Sequence, residues 1–305
     1  MRFAISIPQL IDEDAFDPAA TRRYLHRAEE LGFVGAWTME QVFGRVPHLA
    51  PLEMLSFAAA CTERIRLGCA VFITTLHSPV HLAKSLSTLD EISLGRLDVG
   101  IATGGGNRMF AGFGVDRASY VARFTEGLDL MRALWTEPEV NFKGRFWQLE
   151  GAPMEPKPYQ KPAPPVWFGG SHPAALRRAV RLGDGFFGAG SSTTEDFVQQ
   201  VQTVREELAR QDRDPAGFPI AKRVYIAVDD DAGRAHDRIA AALKRIYPFR
   251  PGDMAPVSVF GTPSDCVAGL QRVADAGAGM IQLNPLFDDA DQMERLAAEV
   301  IPQLA

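Results

Sequence analysis

Apolar residues along the chain alternate between short runs and longer segments with helical spacing. The short runs, which are typical of buried strands, cover residues 3–7, 34–39, 66–72, 97–102, 166–168, 185–188, 220–228 and 280–283. Between them, apolar side chains recur every three or four residues, as in Val80, Ala83, Leu86 and Leu89. This pattern predicts eight strands, each followed by a helix.

The starts of several predicted helices carry a capping residue followed by proline. Asp17-Pro18, Ser78-Pro79 and Thr262-Pro263 are of this kind. A side-chain oxygen at the cap accepts a backbone N–H, and proline suits the first helical turn because it has no N–H to leave unpaired. These positions fix the predicted strand-to-helix junctions.

Residues 140–165 interrupt the alternation. NFKGRFWQL predicts a small hairpin that turns at Lys143-Gly144, and PKPYQKPAPP is too rich in proline for a central strand or a helix. Because the alternation resumes afterwards, we interpret the segment as an insertion before the fifth strand. Eight βα units favour a closed parallel barrel, which leaves no sheet edge exposed. The predicted fold is α/β, a TIM-type (β/α)8 barrel over residues 1–305 as a single domain, with insertions at its C-terminal mouth.

Composition and charge narrow the class of protein. With 46% hydrophobic and 23% charged residues the chain has the composition of a globular protein, and a net charge of −6 argues against a general polyanion or nucleic-acid binder. No apolar stretch approaches the length that spans a bilayer, and the N-terminus lacks the features of a signal peptide. The cysteines Cys61, Cys69 and Cys266 are odd in number and lack CxxC spacing, which is typical of reduced thiols. We therefore expect a cytoplasmic protein without a nucleic-acid or membrane partner.

Catalytic residues of such a barrel lie where the strands end. The predicted strand ends include Glu40-Gln41, residues 103–107 (TGGGN), 169–171 (GGS) and 188–191 (GAGS), and Asn284. Glycine-rich loops that enter helices can bind phosphate through backbone N–H groups, although glycine also serves plain tight turns. The chain has neither GxGxxG nor a P-loop motif.

Other kinds of site have weak support. His77 and His81 are spaced four apart, but Ser78-Pro79 lies between them and no HExxH motif follows, so we expect no metal. The absence of G-x-S-x-G disfavours a serine hydrolase. Glu40 is the stronger candidate, because an acid at a barrel mouth can act as a base or as a charge partner.

Several strings resemble the bacterial luciferase-like superfamily of flavin- and deazaflavin-dependent oxidoreductases. They occur in the family's order over nearly the whole chain, and they are AEELGFVGAW (28–37), RIRLGCAV (64–71), HSPVHLAKSLSTLDEISLGRLDVGIATG (77–104), KPYQKPAPPVWFGG (157–170) and RLGDGF (181–186). The resemblance implies a TIM-type barrel that holds a tricyclic redox cofactor at its C-terminal mouth.

Matched position by position, the resemblance also implies a cofactor site. Ala70-Val71 corresponds to a non-prolyl cis peptide bond behind the central cofactor ring, and Thr103 and Gly104 correspond to cofactor contacts on the fourth strand. The loop of Gly169, Gly170 and Ser171 corresponds to the one whose backbone holds the cofactor phosphate. This last role agrees with the glycine content of the loop.

Two positions depart from the family pattern. Gln41 stands where relatives often have histidine, and glutamine cannot exchange a proton near neutral pH. Gly105 stands where the deazaflavin-dependent sugar-phosphate dehydrogenases have a glutamate that serves as an acid. A sugar-phosphate substrate is therefore doubtful.

The leading hypothesis is an oxidoreductase that transfers a hydride between the deazaflavin coenzyme F420 (F-420, an 8-hydroxy-5-deazaflavin) and a small organic substrate. Glu40 and Gln41 are its candidate catalytic residues, and Asn107 and His77 its candidate substrate contacts. Thr103 favours the deazaflavin, because flavin monooxygenases of the family often place an arginine there.

Two alternatives stay open. One is an FMN-dependent monooxygenase that uses molecular oxygen. The other is a cofactor-free barrel with a binding or structural role, which the loss of the family histidine at Gln41 motivates. The loops 43–51, 107–118 and 247–259 carry Phe110, Phe113, Tyr247 and Phe249, which suits an apolar or aromatic substrate. The resemblance further implies a homodimer.

Overall fold

Strands and helices alternate as predicted in a computed structural model, which describes residues 1–11, 15–104, 110–250 and 252–304. The strands are β1 (Arg2–Ser6), β2 (Gly35–Thr38), β3 (Arg66–Ile73), β4 (Leu97–Ala102), β5 (Val140–Lys143), β6 (Gln148–Ala152), β7 (Val166–Gly169), β8 (Gly185–Gly188), β9 (Ile220–Val228), β10 (Ser258–Gly261) and β11 (Met280–Asn284).

Eight of these strands close into a parallel barrel. Around the ring the order is β9, β11, β1, β2, β3, β4, β7 and β8, and pairing of Phe186 with Ile220 joins β8 back to β9. The predicted TIM-type barrel is confirmed.

Helices cover the outside of the barrel. They are α1 (Pro18–Glu30), α2 (Pro51–Cys61), α3 (Pro79–Ile92), α4 (Tyr120–Thr136), α5 (Pro173–Leu182), α6 (Thr194–Arg210), α7 (Ala232–Ile246), α8 (Pro263–Asp275) and α9 (Asp289–Arg295). The side chain of Asp17 caps α1 by accepting the Ala19 N–H at 2.8 Å, and Thr262 and Asp265 form a reciprocal capping box on α8. Ser78 precedes α3 without a side-chain cap. Within the described residues, every helix is too short or too polar to cross a bilayer.

Two details correct the sequence-based assignment. A strand that was not predicted, β10, pairs in parallel with the last residues of β9. The helix predicted after the eighth strand is a regular α-helix only to Arg295, and the backbone then widens into a π-helical turn and tightens again.

The insertion between α4 and β7 forms the predicted hairpin. Strands β5 and β6 are antiparallel, and the Gly144 N–H donates to the Trp147 carbonyl at 2.9 Å. The proline-rich stretch that follows is tied to α3, because Asp90 accepts hydrogen bonds from the backbone and the side chain of Gln160, both at 2.8 Å.

Aromatic side chains fill the interior of the barrel. Trp37, Trp167 and Phe187 pack edge to face or at a tilt, with ring centroids 4.7 to 6.1 Å apart. The interior is therefore closed below the mouth, and ligands can enter only where the strands end.

Candidate active site

The end of β3 contains a cis peptide bond between Ala70 and Val71, as the family resemblance implies. The register of β3 against β4 shifts between Cys69 and Phe72, both fully buried, whereas Ala70 and Val71 are partly exposed. The cis peptide thus lies at the accessible mouth of the barrel.

Glycines on the neighbouring strands let the end of β3 pack closely against them. A Cβ atom on Gly169 would lie 2.9 Å from Cγ1 of Val71, and one on Gly104 would lie 2.2 Å from Cγ2 of Ile73. Gly104 also has φ +77°, which side chains rarely adopt. Larger residues at either position would displace these two side chains of β3.

Thr103 is held in place through its backbone. The Thr75 hydroxyl donates to the Thr103 carbonyl at 2.9 Å, which joins the end of β4 to the turn after β3. Thr103 and Gly104 therefore lie beside the last residues of β3 and the turn that follows, and their role as coenzyme contacts stays a prediction. Residues 105–109 are outside the described residues, so the candidate contact Asn107 and the departure at Gly105 have no structural account here.

Glu40 lies beneath this surface. Its side chain is only 4% exposed, Oε2 accepts the Ile73 N–H at 2.5 Å, and Oε1 accepts a hydrogen bond from Nε2 of His77 at 2.7 Å. Both carboxylate oxygens are thus engaged within the protein. The structure brings together Glu40 and His77, which the sequence had assigned to separate roles.

The loop after β7 lines a cavity whose walls come from two strand ends. We call it the loop cavity; its lining includes Gly170, Ser171, Ser191, Ser192, Gln200 and Arg250. Helices α5 and α6 begin beside it, so their first N–H groups and partial positive charge are close at hand. Nη1 of Arg250 donates to the Ser191 carbonyl at 3.3 Å, which adds a cation. The carboxylate of Asp196 also lines the cavity, where it accepts the Thr193 N–H at 3.1 Å. With that carboxylate engaged, the helix starts and Arg250 leave an environment that suits an anionic group.

Lys222 supports the loop cavity from below. It is 2% exposed, and its ammonium group donates to the Ala189 carbonyl and, at 2.9 Å, to the Ser192 carbonyl. Burial, and after it the nearby charge of Arg223, lowers the pKa of Lys222 to about 7. The lysine therefore fixes the loop between β8 and α6.

A second depression, the inner cavity, lies on the opposite half of the mouth. It is lined from β1, β2, β9 and β11 by residues that include Gln9, Gln41, His48, Arg223, Gln282 and Asn284. Gln9 shapes one wall, because its side chain accepts the Met39 N–H at 2.7 Å and donates to the carbonyls of Met39 at 3.0 Å and Leu49 at 2.8 Å.

Arg223 joins the two halves of the mouth. It is 8% exposed, and Nη1 donates to the carbonyl oxygen of Ala70, in the cis peptide, at 3.2 Å. Four residues that line the inner cavity each have a buried polar atom without a hydrogen-bond partner among the described residues: Nε of Arg223, Oε1 of Gln282, Nδ1 of His48 and Nε1 of Trp37. Burial, followed by the charge of Arg223, lowers the pKa of His48.

An outer cavity of about 780 Å³ continues from the inner one through the shared residues Gln41 and Ile246. Its walls are largely apolar, with Phe43, Val46, Pro248 and Phe249 among them, although the cations Arg45 and Arg245 also line it. Gln41 thus stands between a polar and an apolar compartment. Among the residues with described positions, no group of three His, Cys, Asp or Glu side chains could hold a metal ion.

Comparison with known proteins identifies the family. The family described as luciferase-like monooxygenase matches residues 1–275. The chain belongs to this family. The luciferase-like chain is 28% identical to an F420-dependent glucose-6-phosphate dehydrogenase of Intrasporangium calvum, over 95% of this chain and 96% of that protein. Its predicted membership of the superfamily and its predicted class, a luciferase-like oxidoreductase, are confirmed.

Solved structures support the same fold for this luciferase-like chain. The monooxygenase RslO1 from Streptomyces bottropensis superposes with a TM-score of 0.87 and 25% identity, covering all of both chains. An F420-dependent secondary alcohol dehydrogenase, solved with an F420–acetone adduct, has a TM-score of 0.84 at 18% identity over 100% of this chain and 99% of that one, which supports the fold alone.

Several residues of this luciferase-like site were missed from the sequence. Lys222 and Arg223 are adjacent charges inside a strand whose other residues are mostly apolar, and that was the available signal. Gln9, His48 and Gln282 carried none, because single polar residues near strand ends are common.

Proposed function

We propose that this protein is an oxidoreductase that transfers a hydride between coenzyme F420 and a small organic substrate. The observation that carries the proposal is the partly exposed pair Ala70 and Val71 at the end of β3, packed against Gly169 of β7, beside a loop cavity suited to an anion. Similarity to F420-dependent dehydrogenases over 95% of the chain supports it.

The residues present fit such a coenzyme. Ala70, Val71, Thr103 and Gly104 would hold the ring, because all four residues are partly exposed where β3 and β4 end. The phosphate would bind at the loop formed by residues Gly169, Gly170 and Ser171. When bound, the coenzyme supplies a ring carbon that donates or accepts the hydride.

The remaining candidate residues position and contact the substrate. Glu40 holds the end of β3 and orients His77, whose side chain is 24% exposed. Gln41 presents an amide between the inner and outer cavities, where it can orient a substrate by hydrogen bonds. We keep Asn107 as a proposed substrate contact on sequence grounds alone. Because Gln41 and Gly105 depart from the family pattern, we do not propose glucose 6-phosphate as the substrate of this chain.

FMN is the second candidate cofactor. The full-length match to the monooxygenase RslO1 favours monooxygenase activity, and FMN, the cofactor that such an activity would use in this family, could occupy the same surface. Parallel fluorescence titrations of the purified protein with F420 and with FMN separate the two. We expect saturable quenching with F420. Tight binding of FMN without binding of F420 would replace the proposal with the monooxygenase, and no binding of either would favour a cofactor-free barrel.

We also propose a homodimer in the cytoplasm. The dimer rests on the family resemblance, and light scattering coupled to size-exclusion chromatography tests it. The cytoplasmic location is supported by Cys61, Cys69 and Cys266, which are all buried free thiols.

A further inference from the structure

The buried guanidinium of Arg223 has no counter-charge in the described part of the protein. It is 8% exposed, forms no ion pair with a described carboxylate, and donates only to the neutral carbonyl of Ala70. The residue lines the inner cavity, and its Nε atom has no hydrogen-bond partner. A buried charge without a partner is costly, so proteins normally pair it.

The rest of the inner cavity also offers unpaired polar atoms. Gln282 is 2% exposed with an unpartnered Oε1, and Nδ1 of His48 is unpartnered as well. The acidic residues Asp288 and Asp289 line the same cavity. Asp288 accepts a hydrogen bond from Arg238 at 2.5 Å, so Arg238 and not Arg223 balances its negative charge. Neither aspartate forms an ion pair with Arg223, whose one hydrogen bond among the described residues is to the Ala70 carbonyl.

The cavity's continuation limits the shape of the ligand. From Gln41 and Ile246 the space opens into the outer cavity, where the exposed rings of Phe43 and Phe249 form an apolar wall. A ligand that filled both compartments would present a charged end to Arg223 and an apolar body to these rings.

We propose that Arg223 binds the carboxylate of an apolar carboxylic acid, the substrate class of this site. The inference rests on the proposed function in taking the inner and outer cavities as the substrate half of the mouth. A full negative charge offsets the buried guanidinium far better than a neutral carbonyl can. The competing role is purely structural, in which Arg223 only holds the Ala70 carbonyl and selects no ligand.

Matched acids and amides distinguish these roles. The probes are octanoate with octanamide and hydrocinnamate with hydrocinnamamide, each titrated by ligand-observed NMR into the full chain without coenzyme. We expect each acid to bind at least about tenfold more tightly than its amide. Equal affinities, or no binding of either acid at millimolar concentration, would overturn the proposal.

Two variants test the residue itself. Arg223→Gln should remove the preference for the acid while the amide still binds. Arg213→Gln is the matched control, because Arg213 also donates to one backbone carbonyl, that of Val180, and lies over the ring of Phe218. It should keep the preference. A preference that survives in Arg223→Gln overturns the proposal; should that variant fail to fold, the acid and amide comparison in the unmodified protein decides.

Adding F420 shows whether the carboxylate site belongs to the substrate or to the coenzyme. If saturating F420 leaves the affinity for the acids unchanged, the carboxylate site belongs to the substrate. Displacement of the acids by F420 would assign Arg223 to the coenzyme and contradict the inference. A preference for acids in a protein that does not bind F420 would contradict only the proposed function.

Discussion

The carboxylate of Glu40 and the imidazole of His77 are hydrogen-bonded at 2.7 Å at the edge of the proposed coenzyme surface. The other oxygen of Glu40 accepts the backbone N–H of Ile73, two residues beyond Val71. One nearly buried side chain therefore ties β2, the end of β3 and the histidine into one unit.

Glu40→Gln and Glu40→Leu test whether this acid positions the site or reacts. The amide can still accept the Ile73 N–H and bond to the other tautomer of His77, so we expect near-normal stability and F420 affinity. Leucine leaves the buried N–H unpaired, and we expect a loss of about 2 kcal/mol in the free energy of unfolding together with weaker binding. Urea unfolding and F420 titration measure both. Normal binding in Glu40→Gln with abolished turnover would instead assign Glu40 a chemical role.

The barrel could be predicted from the sequence, because hydrophobic residues recur with different periods in strands and helices and the strand–helix alternation repeats eight times. The short strand β10 could not be predicted, since four residues between Val257 and Thr262 are too few to show a period. Arg223 and Lys222 show a different limit. Successive strand residues point to opposite faces, so Lys222 reaches the loop under α6 while Arg223 reaches into the barrel. Which of the two side chains points into the barrel could be assigned only from the order of the strands around it.

Gly100→Ala tests the close approach of β3 and β4 beneath the site. A Cβ at this position would lie 2.0 Å from the Cys69 carbonyl oxygen, which is backbone and cannot move aside cheaply. We expect a loss of about 3 kcal/mol in thermal or urea unfolding. Gly217→Ala is the control, because no atom lies within 4 Å of its Cβ position, and its stability should change by less than about 1 kcal/mol. Equal effects of the two substitutions would contradict the packing described.

Lys222 gives a pH-dependent stability of predictable sign. Its pKa falls from 10.5 to about 7 in the folded protein, so between these values the unfolded chain binds more protons. Stability attributable to this residue should therefore rise with pH over that window, by up to about 1.4 kcal/mol per pH unit. Urea unfolding of the unmodified protein and Lys222→Met at several pH values from about 7 to 10 measures the difference. Parallel stability profiles for the two proteins would show that Lys222 is not buried as described.

Changes in the apolar wall of the outer cavity should affect ligand binding more than the free energy of unfolding. Phe249 is 77% exposed, so we expect Phe249→Ala to change the free energy of unfolding by less than about 0.5 kcal/mol. Binding of octanamide should weaken several-fold, because the ring no longer covers the apolar chain. Val198→Ala, at a 42% exposed position on α6 away from this cavity, is the control and should alter neither quantity. Unchanged octanamide binding in Phe249→Ala would exclude the outer cavity as the substrate channel.

The most direct test of the coenzyme site is the dissociation constant of F420 for the unmodified protein, Gly170→Glu and Gly217→Glu. A glutamate at Gly170 would bring a negative charge to the loop cavity and crowd Cβ of Ala175, which lies 3.0 Å from the added Cβ position. The account predicts saturable F420 binding to the unmodified protein and to Gly217→Glu, and loss of at least about 100-fold in Gly170→Glu with its fold intact. Equal F420 affinity in all three proteins would contradict it.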